Sequence, residues 1–236
     1  MSIIALLFIG FSLGASVLLI VGNLLQQQTD LRCLSKAAGF VLIMALVGIQ
    51  SLHLSVLLTQ FDNFHSRAYI ALLYVIAPSF YFYSRQLFLA NSDYQQRDTL
   101  HALPLILSLL LAYQWALPSA FLVGSGYLLW LAHAVYQLRE QRQRFRLELF
   151  ALGTLFAIAI LVLLLGFIVP LLTEQTFTVA YSVLIGLAFF AVLLTVLRFP
   201  SITADVSEAV QAAYQVSTLK NIDKTAALAT LKHLMA

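Results

Sequence analysis

Apolar runs of nearly constant length, broken by short polar stretches, set the rhythm of this chain. A helix needs about 20 mostly apolar residues to cross a bilayer, and runs of that kind occupy residues 3–25, 37–60, 68–89, 101–117, 119–138, 147–172 and 177–198. The pattern predicts an all-α fold, an integral membrane bundle of seven transmembrane helices. The fourth and fifth runs are separated only by the uncharged "ALPSA". Pro118 marks the turn there, because proline has no amide hydrogen with which to continue a helix. Joined into one helix, the two runs would be too long for a single crossing even with strong tilt.

Composition agrees with the pattern. Hydrophobic residues make up 61% of the 236 residues and charged residues 10%, against about 25% charged in soluble domains. With a mean hydropathy of +0.92, the chain has too little polar surface to cover a water-soluble fold. The single cysteine, Cys33, excludes an internal disulfide and offers no metal-ligand spacing.

Basic residues give the orientation, since Lys and Arg stay on the cytoplasmic side of membrane proteins. With the N-terminus outside, Arg32, Lys36, Arg85, Arg97, Arg139, Arg142, Arg144, Arg146 and Arg198 all fall inside, and Arg67 falls outside. The first run has no preceding Lys or Arg and no clear small-residue cleavage site, so it reads as a retained first helix. No duplicated three-helix pattern of the transporter kind stands out.

The apolar runs exclude several chemistries. They carry no Asp, Glu or Lys near their centres, so a retinal Schiff base has no lysine, and proton-coupled transport or intramembrane proteolysis lacks the usual carboxylates and metal ligands. The five histidines show no metal spacing. Neither a metal nor another cofactor is expected, and neither is an enzymatic activity. The remaining polar groups gather toward the outer half: Gln50 and His53 one turn apart on the second helix, His65 and Arg67 in or beside the next loop, Gln114 and Trp115 at the end of the fourth helix, and Glu174 in the last outer turn. Two readings stay open. Gln50 and His53 bond to a neighbouring helix, or the group lines a ligand site open to the outside.

Residues 1–199 therefore form a membrane domain, and residues 200–236 a cytoplasmic linker. Within the linker, Asp223 can cap a helix through "KTAALATLKHLMA", with Leu228, Leu231 and Met235 on one face. A helix this short is marginal alone in water; a second copy or a following domain is expected to cover the stripe.

In the third helix, "APSFYFYSRQLF" combines a mid-span proline, which implies a kink, with an aromatic belt and the cation of Arg85. Together with "LHALP" opening the fourth helix and "YQVSTLKNIDKTAALATLKHLM" after the last span, this resembles the membrane-anchored transcriptional regulators of the AraC type. The resemblance covers nearly the whole chain. It implies a membrane sensor in the bacterial inner membrane, possible pairing of two copies, and a connector in which Tyr214, Ser217 and Leu219 join the Leu228–Leu231–Met235 stripe and lead to paired helix-turn-helix motifs. That DNA-binding domain is absent from this sequence, so contact with DNA would come only through the missing domain. A small transporter or channel, or a sensor with a kinase or cyclase output, are the other classes the same architecture serves.

Reporter fusions after Leu25, Arg97, Arg142 and Ala236 are expected to report the cytoplasm, and fusions near Asn63 and Glu174 the exterior. An external signal at Arg142 would break the seven-crossing topology.

Overall fold

The computed structural model describes residues 2–25, 33–59, 66–88, 96–137 and 146–198. Among them all regular structure is helical: α1 (Ser2–Leu25), α2 (Cys33–Thr59), α3 (Arg67–Phe88), α4 (Leu103–Leu110), α5 (Tyr113–Gln137), α6 (Arg146–Ile168) and α7 (Glu174–Arg198), with 3-10 turns at Gln96–Ala102 and Val169–Leu171. Five of these, α1, α2, α5, α6 and α7, are long and apolar enough to cross a membrane. At 22 residues α3 has the length, about 33 Å at 1.5 Å per residue. Its lower apolarity has a packing reason: Tyr69, Tyr74, Ser79 and Ser84 are buried, on a helix that packs against α2, α4 and α5.

The fourth helix differs from the sequence expectation. A helix over 101–117 with its turn at Pro118 is replaced by an eight-residue α4 led by a seven-residue 3-10 turn. The chain breaks at Leu111, which is extended (φ −76°, ψ 141°), and Pro118 lies inside α5. Proline there removes the ladder bond to the carbonyl of Gln114, and next to it Ser119 Oγ donates to the carbonyls of Trp115 and Ala116. At about 2.0 Å per residue for the 3-10 turn and 1.5 Å for α4, Gln96–Leu110 extends roughly 26 Å, close to the ~30 Å hydrocarbon thickness. The boundaries also move at α7, where Glu174 and Gln175 belong to the first helical turn.

Six helices close a ring, α1–α2–α3–α5–α6–α7, in which α7 also touches α2, while α4 joins from the side of α3 and α5. Specific contacts set their directions. Ser35, at the start of α2, donates to the carbonyl of Tyr83 near the end of α3 at 3.2 Å, and His53, near the end of α2, meets Tyr69 near the start of α3; the two helices are antiparallel. Tyr74 with Ser119 and Tyr81 with Tyr127 align α3 and α5 in the same direction. The ends of α2 and α6 and the starts of α3, α5 and α7 thus share one end of the bundle, and the start of α2 and the end of α3 share the other.

Side chains of Ile49, Tyr74, Leu117, Phe121, Tyr181 and Ile185 fill the centre. Two glycines let neighbouring helices approach. A Cβ on Gly186 of α7 would meet Phe8 of α1 at 2.6 Å, and one on Gly166 of α6 would collide with the ring of Phe121 of α5, the small-residue packing that brings membrane helices together. Outside the ring the surface is apolar, with Leu7, Leu18, Leu122, Leu129, Leu164 and Leu197 exposed. A contiguous coat of this kind suits hydrocarbon and not water.

Candidate functional site: a buried polar cluster joining four helices

An apolar helix that carries a Gln and a His must bond them inside the protein, because hydrocarbon supplies no partner. Gln50 and His53 sit three residues apart on α2 and so share a face; both are fully buried. The facing positions are Ser12 of α1, Ser182 of α7 and Tyr69 of α3, each also nearly or wholly buried. Counted along the helices, His53 lies about 9 Å from Thr59 and Ser182 about 12 Å from Glu174. The cluster therefore occupies the half of the bundle nearer the end shared by those two residues.

Its bonds form a chain. Ser12 Oγ donates to the carbonyl of Ile9 at 2.8 Å and so accepts from Gln50 Nε2 at 2.9 Å. The second Nε2 hydrogen goes to the Ser182 carbonyl at 3.2 Å. That carbonyl can only accept, so it fixes which way the Gln50 amide points. Ser182 Oγ meets His53 Nδ1 at 3.0 Å, and His53 Nε2 meets the Tyr69 hydroxyl at 3.2 Å. A neutral imidazole donates from one nitrogen and accepts at the other, so either tautomer engages both hydroxyls. Tyr181 presses edge-on against His53 with centroids 5.3 Å apart. Gln50 Oε1 is buried with no hydrogen-bond partner. The cluster is a set of interlocked donors and acceptors that ties α2 to α1, α3 and α7.

Among the described residues, the other positions singled out by sequence add no bond to it. Arg67 and Glu174 are exposed at the start of α3 and of α7, Trp115 is 66% exposed, Gln114 stands in the first turn of α5, and His65 lies outside the described residues. The coupling positions Tyr214, Ser217, Leu219, Leu228, Leu231 and Met235 lie outside them as well. Gln50 and His53 are thus brought together, while the exposed residues share only the same end of the bundle. Ser12, Tyr69 and Ser182 were not singled out from sequence. Their one signal is position, a hydroxyl in an apolar helix, and Ser16 shows how weak that is: its hydroxyl merely bonds its own helix at Leu13.

A second polar cluster stands at the opposite end. Arg85 of α3 pairs with Asp98 of the 3-10 turn at 2.6 Å, and His101 Nδ1 meets the Tyr127 hydroxyl of α5 at 2.6 Å. Tyr81 stacks on His101 with centroids 4.3 Å apart and edges onto Trp130 at 4.8 Å. This clasp joins "APSFYFYSRQLF" to "LHALP", the two membrane-domain motifs of the resemblance. Among the described residues, no group of three or more His, Cys, Asp or Glu side chains could hold a metal ion. Comparison with protein-family models, curated proteins and solved structures returned no match.

Gln50→Leu removes both Nε2 bonds and is expected to destabilise the folded protein in lipid by about 1–2 kcal/mol. Arg67→Ala, Trp115→Ala and Glu174→Ala are each expected to change it by less than about 0.5 kcal/mol. Reversible unfolding in mixed micelles measures the difference.

Proposed function

We propose that this chain is the membrane-embedded sensing domain of a transmembrane transcription regulator of the AraC type, crossing the bacterial inner membrane seven times with its N-terminus outside and its C-terminus inside. The observation that carries the sensing role is the polar cluster of Gln50, His53, Ser12, Ser182 and Tyr69. Histidines and amides buried in membrane helices are costly unless paired, and are commonly kept for a function. This one ties four helices through exchangeable hydrogen bonds in the outer half, where a signal can shift the balance between helix arrangements. The orientation is supported by the bundle's own polarity: Arg85 lies at the end that also holds the start of α2 and Arg198, and Arg67 lies at the other.

The fourth crossing in this reading is Gln96–Leu110, whose 3-10 lead extends a helix otherwise too short. The regulator assignment rests on the resemblance, and the meeting of its two membrane-domain motifs in one clasp supports treating them as a unit. A conduit is disfavoured by the apolar filling of Ile49, Leu73, Tyr74, Ile185 and Phe189 around the bundle centre. DNA contact would come through a domain joined after the connector, and pairing of two copies would set the spacing of its reading heads.

The direct test is the gene itself. The reading frame past the Ala236 codon is expected to encode paired helix-turn-helix motifs; a stop codon there, or an unrelated domain, overturns the regulator assignment.

A further inference from the structure

Both polar clusters are anchored on one helix. Near its start, α3 presents Tyr69 to His53; near its end it presents Tyr81 and Arg85 to the clasp with Asp98, His101, Tyr127 and Trp130. Between them stands Pro78, about 14 Å from Tyr69 and about 10 Å from Arg85 along the axis. Pro78 cannot donate to the carbonyl of Tyr74 and its ring crowds that carbonyl, so the helical ladder lacks a rung there and the angle between the two halves is soft. One turn before the break, the Tyr74 hydroxyl meets Ser119 of α5 at 2.6 Å, which pins α3 to its neighbour at the point where it is weakest.

Anchored at both ends and pinned at Tyr74, α3 can move between two arrangements only by changing its angle at this joint. We propose that α3 is the coupling element of the bundle, passing a change in the hydrogen bonding of Tyr69 through the break at Pro78 to the Arg85–Asp98 clasp. The two states are clasp closed and clasp released, and a signal shifts them only by binding one better than the other. The clasp is an ion pair and a histidine–tyrosine bond on a short 3-10 segment that continues into α4, and α4 ends at the extended residue Leu111 before α5. These are side-chain bonds, so the clasp can release without breaking the backbone ladder of α3 or α5. Coupling is reciprocal: opening the clasp must loosen the His53 cluster. The inference concerns the bundle alone, so it stands or falls independently of the regulator assignment.

The chain has two tryptophans, Trp115 and Trp130, so Trp115→Phe leaves Trp130 as the sole reporter of the clasp. In the full chain reconstituted in lipid nanodiscs, Tyr69→Phe, and separately Ser182→Ala, which disturbs the same cluster from α7, are expected to raise acrylamide quenching of Trp130 about threefold, and Pro78→Ala in the same proteins to abolish most of that response. In the reverse direction, Arg85→Gln should speed hydrogen exchange of the amides flanking His53 only while Pro78 is present. Either cluster variant suffices if the other does not fold. Quenching of Trp130 that neither variant changes overturns the proposal, and so does a response of the same size with and without Pro78.

Discussion

In hydrocarbon a polar group has no solvent to fall back on, so it must find its partner inside the protein. That constraint shapes this bundle more than any other. Apolar side chains gain little by leaving lipid for another helix, which leaves close packing and polar bonding to choose the arrangement. Phe8 against Gly186 and Phe121 against Gly166 supply the first. Gln50 and His53 supply the second, by reaching from α2 to α1, α3 and α7 at once. A rotation of α2 by one residue, about 100°, would carry both side chains away from every partner.

The two polar clusters divide the work between the ends. The cluster at the start of α3 is made of uncharged groups and is sealed from solvent, so it can sit well inside the apolar layer. The clasp at the other end contains an ion pair with Arg85 and Asp98 only slightly exposed, and it lies where a cationic side chain can reach toward the boundary. The clasp also explains how α4 stays in place. Eight residues with Leu103, Ile106, Leu109 and Leu110 exposed bury little against the bundle, and the 3-10 turn before them carries the specific bonds.

Much of the helical architecture was legible in sequence because the apolar runs are long and their ends are polar; the expected boundaries fall close to the observed ones for α1 and α3, while one end of each of α2, α6 and α7 lies a turn or so from its expected place. The fourth helix departs from the sequence expectation for a local reason. Leu111 and Ala112, where the chain turns, carry no glycine or proline, whereas Pro118, the visible breaker, is accommodated in α5 beside Ser119. Two of the five residues of the polar cluster were legible, since Gln50 and His53 are conspicuous one turn apart in an apolar helix. Ser12, Tyr69 and Ser182 were not, because a serine hydroxyl can always bond its own backbone and a tyrosine can sit in a belt. The pairing of Arg85 with Asp98 joins two separate elements and is visible only in the folded chain.

The central claim is that Gln50 and His53 act as one network through Ser182, and a double-mutant cycle tests it most directly. Unfolding free energies in lipid are compared for Gln50→Leu, His53→Leu and the double variant. The account predicts that the double variant loses less than the sum of the singles by about 1 kcal/mol, the signature of residues that share a hydrogen-bond network. Strict additivity would contradict it, and would reduce the cluster to two independent buried groups.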